Sequence, residues 1–241
     1  MRFSPLGDRA VHIELGSSID EATHRLVRAV CARLDDQPPA GFIEYVPGFT
    51  SVVVHYEPLR VEAGADGLSP HARMEAALTD ALYQLGDEEL PPARVVEIPV
   101  CYGGDLGPDL EDVARAHSLT PDDVVRMHAA GDYLVYMLGF MPGFAYLGGL
   151  APELATPRRP TPRTHVPALS VGIGGSQTGV YPLESPGGWH LIGRTPRAVF
   201  LPAANPPTLL RMGDRVRFVA ISPDEYRARV DAAAGRDEAS T

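Results

Sequence analysis

Lysine is absent from the 241-residue chain, so all 21 basic side chains are arginine. A GC-rich codon bias produces such a set, and the chemical consequences hold whatever its origin. Schiff-base catalysis by a side chain is excluded, and so is a Walker A loop, whose lysine reaches the terminal phosphates. Any handling of ATP therefore proceeds without a P-loop. Cysteine is scarce: Cys31 and Cys101 lie far apart in different kinds of segment, and are read as two reduced thiols of a cytosolic protein. Positive charge is in deficit, and a net charge of −10 argues against a nucleic-acid or anionic-membrane footprint. No apolar run approaches the ~20 residues of a membrane span. The opening Met1-Arg2-Phe3-Ser4-Pro5 has no long apolar core of a secretory signal, so the cytoplasm is the expected compartment. Neither Gly-x-Ser-x-Gly nor His-Glu-x-x-His occurs, and no cysteine or histidine spacing suits zinc, so no metal site is expected from side-chain clusters.

What is present is ordinary for a globular protein, with 44% hydrophobic and 22% charged residues. The length suits one or two domains. Val11, Ile13 and Leu15 alternate as on a half-buried strand. Asp20 can cap a helix to about Leu34, with Leu26, Val30 and Leu34 as its stripe. Phe42–Val46 and Ser51–Tyr56 flank the turn dipeptide Pro47-Gly48, which predicts a hairpin. Ser69-Pro70 starts a second amphipathic helix carrying Met74, Ala77, Leu78, Ala81, Leu82 and Leu85. The expected order is β-α-β-β-α, an α+β domain over residues 1–88. A polar, proline-rich stretch follows, with residues 89–94 as the linker.

The remainder, residues 95–228, opens with a strand at Val95–Val100. A helical insertion spans Leu110 to about Ala130, where Thr120-Pro121-Asp122-Asp123 is a helix start. Strands are then expected at Tyr133–Leu138, Ala168–Ile173, Thr178–Tyr181, His190–Ile192, Ala198–Leu201 and Arg215–Ile221. Short strands punctuated by glycine and proline read as a barrel or sandwich. A short helix after Ser222 and a flexible tail, residues 229–241, complete the expectation.

Candidate chemistry concentrates between Gly139 and Pro196. The stretch Gly139–Leu147 combines turn formers with aromatics, including Tyr146, and reads either as a core-closing loop or as a ligand contact. Arg158, Arg159 and Arg163 cluster among Pro157, Pro160, Pro162 and Pro167, with His165 beside them. Arginine suits bidentate recognition of carboxylate or phosphate, the prolines stiffen the segment, and His165 has an intrinsic pKa suited to proton transfer. Gly172–Gly179 lacks the dinucleotide fingerprint and reads as a turn presenting backbone amides and Gln177. Ser185-Pro186-Gly187-Gly188-Trp189 and Gly193-Arg194-Thr195-Pro196 complete the set. From the residues alone this is a loop-rich β domain that binds an anionic small molecule.

Read in order, Pro142–Leu147, Arg163–Pro167, Ser170-Val171-Gly172-Ile173, Gln177–Pro182, Ser185–Trp189 and Gly193–Pro196 resemble the family of 5-oxoprolinase B subunits. That family is also labelled allophanate hydrolase subunit 1 or KipI-type kinase inhibitor, and belongs to the carboxyltransferase-like group. Pro5-Leu6-Gly7-Asp8 and Val46-Pro47-Gly48-Phe49 extend the resemblance to the N-terminal half. Two positions depart from the pattern, Leu169 and Gly174, where glycine and alanine are usual; Leu169 is expected to add bulk beside the site. The resemblance implies a small α+β domain followed by a cyclophilin-like β-barrel. It also implies ATP-coupled opening of 5-oxoproline to glutamate, with Mg²⁺, alongside an A and a C subunit. On that reading Arg158, Arg159, Arg163 and Arg194 surround phosphoryl and carboxylate oxygens, Gln177 orients the lactam, and His165 transfers a proton. Tyr146, Gly187, Gly188 and Thr195 are further substrate- or phosphate-binding candidates. A urea- or allophanate-pathway protein of carboxyltransferase type, a histidine-kinase inhibitor and a prolyl isomerase are the competing readings.

Overall fold

The computed structural model describes residues 1–61, 67–83, 85, 90 and 92–238. Two compact units divide the chain, Met1–Pro92 and Ala93–Thr241. Of the expected linker, residues 89 and 91 lie outside the described residues.

In the first unit four strands, β1 (Arg2–Pro5), β2 (Ala10–Glu14), β3 (Phe42–Pro47) and β4 (Ser51–Tyr56), form a sheet ordered β1-β2-β4-β3 with antiparallel neighbours. Alternation buries Val11, Ile13, Val52, Val54 and Tyr56 completely, as the two-residue period of a one-faced sheet requires. Helices α1 (Glu21–Asp36) and α2 (Pro70–Tyr83) pack on this sheet. The Asp20 carboxylate accepts the Thr23 N–H at 2.7 Å, capping α1. The buried stripe of α1 runs through Val27, Val30, Cys31 and Leu34, whereas Leu26 is exposed. The expected stripe was thus one residue out at its start. In α2 the buried positions are Met74, Leu78 and Leu82, one helical turn apart. Strand β1 was not anticipated, because four residues ending in proline are too short for a period-two pattern.

The second unit contains β5 (Val95–Tyr102), α3 (Leu110–Ala116), α4 (Pro121–Ala130), β6 (Tyr133–Leu138), β7 (Ala145–Gly148), β8 (Arg163–Val166), β9 (Ser170–Gly174), β10 (Gln177–Val180), β11 (Ser185–Gly187), β12 (His190–Arg194), β13 (Arg215–Ala220) and α5 (Pro223–Glu238). Seven strands close a barrel in the order β10-β7-β6-β13-β5-β12-β9, while β8 and β11 form a separate ribbon. The α+β unit followed by a barrel is the expected fold class. β13 runs parallel to β5 and the other barrel pairings are antiparallel. Val96, Ile98, Val100, Val135, Leu147, Val171, Ile173, Ile192, Val216 and Phe218 belong to its core.

The helical insertion is two helices, the second beginning at the expected start. Thr120 starts the second with a capping box shared with Asp123 and with Pro121 in the first turn. The strand expected at Ala198–Leu201 is replaced by a single bridge from Phe200 to Thr208, since Pro202, Pro206 and Pro207 deny ladder donors. The terminal helix continues to Glu238, further than expected, supported by Arg229 pairing with Glu225 at 2.6 Å and by an alanine run. Among the described residues no helix is long and apolar enough to cross a membrane. Both cysteines are free and buried.

One polar chain crosses the barrel interior. His128, fully buried, has Nδ1 2.8 Å from the Tyr102 hydroxyl and Nε2 2.8 Å from Thr178 Oγ1. Thr178 donates to the Gly172 carbonyl at 3.0 Å, so its proton is committed. His128 Nε2–H must then donate to Thr178, and Nδ1 accepts from Tyr102. Burial pushes the imidazole pKa down to about 3, so the ring is neutral.

Candidate functional site

The turn entering α3 places Asp109 against β12. The Asp109 N–H donates to the Leu191 carbonyl at 2.9 Å, and the Leu191 N–H donates to Asp109 Oδ2 at 2.7 Å. The side chain is only 3% exposed. Arg163 grips it bidentately, through Nη1 to Oδ2 at 2.8 Å and Nη2 to Oδ1 at 2.6 Å. Arg159 Nη1 adds a contact to Oδ1 at 3.1 Å. Burial raises the carboxyl pKa, but hydrogen bonds from Arg163 and Leu191 and the charges of both guanidinia outweigh it and hold Asp109 below the usual carboxylate range. Asp109 therefore draws together α3, the 157–163 loop, the β8–β11 ribbon and β12.

Beside this clamp lies a cavity of ≈ 250 Å³ lined by Phe140, Phe144, Tyr146, Arg158, Pro162, Tyr181, Pro186, Gly187, Gly188 and Trp189. Its wall is built on Phe144, delivered by the tight 139–144 loop between β6 and β7, where Gly139 N–H donates to the Phe144 carbonyl at 3.1 Å. Phe144 meets Phe140, Tyr146, Tyr181 and Trp189 edge-on, with centroids 5.4, 5.0, 5.5 and 5.6 Å away. Such T-shaped contacts match each ring's positive edge to a negative face. Burial raises the Tyr181 pKa, offset in part by hydrogen bonding from the Trp189 backbone and by Arg158; the phenol is neutral.

The structure separates the residues expected to act together. Arg158, Tyr146, Gly187 and Gly188 line the cleft. Arg159 and Arg163 are turned to Asp109. His165 lies outside the cleft lining on the outer ribbon, with Nδ1 2.8 Å from Glu184 Oε1 and both side chains more than half exposed. Arg194 Nε donates to the Ala168 carbonyl at 2.8 Å, and Thr195 is fully buried, accepting the Arg197 N–H. Gln177 opens β10 opposite Gly174; like Arg194 and Thr195, it is not among the cleft-lining residues. Asp109 went unnoticed because its only local signal is its position before a helix; its partners lie 50 and 54 residues away.

The chain matches the model of the carboxyltransferase domain, subdomain C and D, over residues 1–210. It is 48% identical to the 5-oxoprolinase B subunit of Bacillus subtilis (strain 168) over 229 residues, 94% of this chain and 95% of that one. The chain belongs to the family of 5-oxoprolinase B subunits. The like-named protein of Escherichia coli O157:H7 is 43% identical across 89% of this chain and 93% of its own. Among solved structures, that of TTHA0988 superposes with a TM-score of 0.76 at 39% identity, covering 89% of this chain. This family member spans only 40% of that longer chain.

The two positions expected to depart from the family pattern, Leu169 and Gly174, have distinct surroundings. Leu169 adopts φ +66°, a left-handed conformation that glycine takes without cost. Its side chain packs against the barrel core and is not among the cleft-lining residues, which corrects the expected bulk beside the site. At Gly174 a Cβ would lie 2.4 Å from the Trp189 indole, so an alanine there requires a shifted Trp189. Among the described residues no group of three or more His, Cys, Asp or Glu is placed to hold a metal ion.

Proposed function

We propose that this chain is the B-type subunit of a cytoplasmic, ATP-dependent 5-oxoprolinase. It opens 5-oxoproline to L-glutamate only together with A-type and C-type subunits. The observation that carries this reading is the near end-to-end match to two bacterial relatives that bear the name of the 5-oxoprolinase B subunit. The chemistry asks for activation, because amide resonance stabilises the lactam. Phosphorylating the lactam oxygen would remove that resonance and create a leaving group, a step that needs cations around the transferring phosphoryl oxygens.

This cleft does not by itself suit a nucleoside triphosphate with Mg²⁺. The ≈ 250 Å³ cleft falls below the ~300–1,000 Å³ usual for drug-sized ligands. Of the three clustered arginines, two are committed to Asp109. We therefore assign this chain the substrate side of the reaction: holding the lactam acid, fixing its orientation and limiting its contact with water. Nucleotide contacts are assigned to the partner subunits.

The test is release of glutamate and phosphate from 5-oxoproline and ATP by this chain co-purified with its A- and C-type subunits. ATP-dependent glutamate that disappears when this chain is omitted is the expected result. A fully assembled set that makes no glutamate, or glutamate made by this chain alone, overturns the proposal.

A further inference from the structure

Acidic residues outnumber basic ones by 31 to 21, yet the Arg158 side chain has no hydrogen bond or ion pair among the described residues. Its backbone is nevertheless held on both sides. His190 Nε2 donates to the Pro157 carbonyl at 2.9 Å, and the Arg159 N–H donates to the Gly188 carbonyl at 2.8 Å. The Arg159 side chain is fastened to Asp109, and Thr156 exchanges two backbone hydrogen bonds with Gly175. Arg158 is exposed, so its guanidinium, carried on a fixed backbone and unpaired at the cavity wall, is available to an external anion.

The rest of the cavity states what kind of anion. The same cleft is lined by the edge-to-face rings of Phe144, Tyr181 and Trp189, which suit a small ring rather than a second charge. Gly188 leaves room, since a Cβ there would meet nothing nearer than Pro162 at 3.6 Å. The Arg158 guanidinium and a volume of ≈ 250 Å³ suit a single carboxylate on a compact ring better than a triphosphate.

We infer that this cleft is the recognition site for a small cyclic monocarboxylic acid, with Arg158 forking the carboxylate and the Phe144–Tyr181–Trp189 wall covering the ring. That the acid is 5-oxoproline rests on the 5-oxoprolinase reading. Arg158 is a binding residue, and Asp109 acts only through the loop that carries it.

Trp189 is the single tryptophan of the chain and lines the cleft, so its emission reports occupancy directly. The full chain is titrated with 5-oxoproline, with 2-pyrrolidone (the same lactam without carboxylate), with acetate (the carboxylate without a ring) and with ATP. Saturable change with 5-oxoproline, and at least tenfold weaker binding of 2-pyrrolidone and acetate, is the expected pattern. Arg158→Ala weakens 5-oxoproline at least tenfold and leaves 2-pyrrolidone unchanged, because a charge-assisted bidentate contact is lost. Its urea midpoint stays at the parent value, which separates lost recognition from lost folding. No saturable response to 5-oxoproline, equal affinity for 2-pyrrolidone or acetate, unchanged affinity in Arg158→Ala, or displacement by ATP overturns the assignment. If the acid binds as described but the assembled subunits make no glutamate, the functional reading fails and the site stands. If the assembly makes glutamate while Arg158→Ala binds 5-oxoproline at full affinity, the reverse holds.

Discussion

Replacing Asp109 by asparagine removes one charge and keeps the shape, so it measures the clamp with little added cavity. The carboxylate now accepts four hydrogen bonds, two on each oxygen, from Arg159, Arg163 twice and the Leu191 N–H. An amide retains one accepting oxygen and turns an N–H₂ toward the donors at the other. Two of the four contacts become donor facing donor, and two guanidinia lose their counter-charge. Breaking a buried pair in this way costs about 3–5 kcal/mol. Arg159 and Arg163 keep 31% and 25% of their side-chain exposure, so water recovers part of it, and about 3 kcal/mol is expected. With a urea m-value of about 2 kcal/mol/M, the midpoint should fall by about 1.5 M. Trp189 emission is the right probe because the only tryptophan belongs to the barrel unit and reports that unit alone. The reasoning also fixes a sign in pH. Asp109 has a depressed folded pKa, so its contribution is present above the ordinary value of 3.8 and fades as pH falls below it. A midpoint shift under about 0.3 M at neutral pH would refute the clamp. So would full additivity of Asp109→Asn with Arg163→Met in a double-mutant cycle.

Three further outcomes follow from the same geometry. His128 is held neutral, with its pKa at about 3 against 6.5 when unfolded; stability is complete above 6.5 and declines as pH falls toward 3. Between pH 7 and pH 5 the parent should lose about 2 kcal/mol more than His128→Gln, read as the difference in urea midpoints, and an identical loss in both proteins contradicts the buried neutral ring. At Gly107 a Cβ would sit 2.1 Å from the Ile192 carbonyl oxygen, whereas at Gly188 the nearest atom is 3.6 Å away. Gly107→Ala should therefore cost more than about 2 kcal/mol and Gly188→Ala stay within about 0.5 kcal/mol; comparable melting temperatures for the two would dismiss the contact. Gly174→Ala must displace the Trp189 indole, so its emission maximum and its affinity for cleft ligands should both change while the protein remains folded. Unaltered spectra would mean that the backbone at 174 gives way instead.

Local chemistry was legible in the order of residues. Asp20, Ser69 and Thr120 announce helix starts because a cap needs only the next three residues. Arg215–Ala220 reads as a strand because burial alternates along it, and Tyr133–Leu138 because it is a short apolar run buried over its first four residues. The family resemblance, carried by glycines, prolines and aromatics at fixed spacing, extends along most of the chain for the same reason: those residues dictate backbone shape where they stand. What sequence could not say is which way each functional side chain turns and whom it meets. Arg158 and Arg159 are adjacent, yet one lines the cleft and the other is tied to Asp109. His165 shares a strand with Arg163 but pairs with Glu184 at the surface. The contacts that sort the arginines join residues 50 and 54 positions apart, and nothing local encodes the pairing. An arginine's chemistry is written at its own position, but whether that charge is spent within the protein or kept for a ligand is decided only when the barrel closes and brings Asp109 to some of the arginines and not to Arg158.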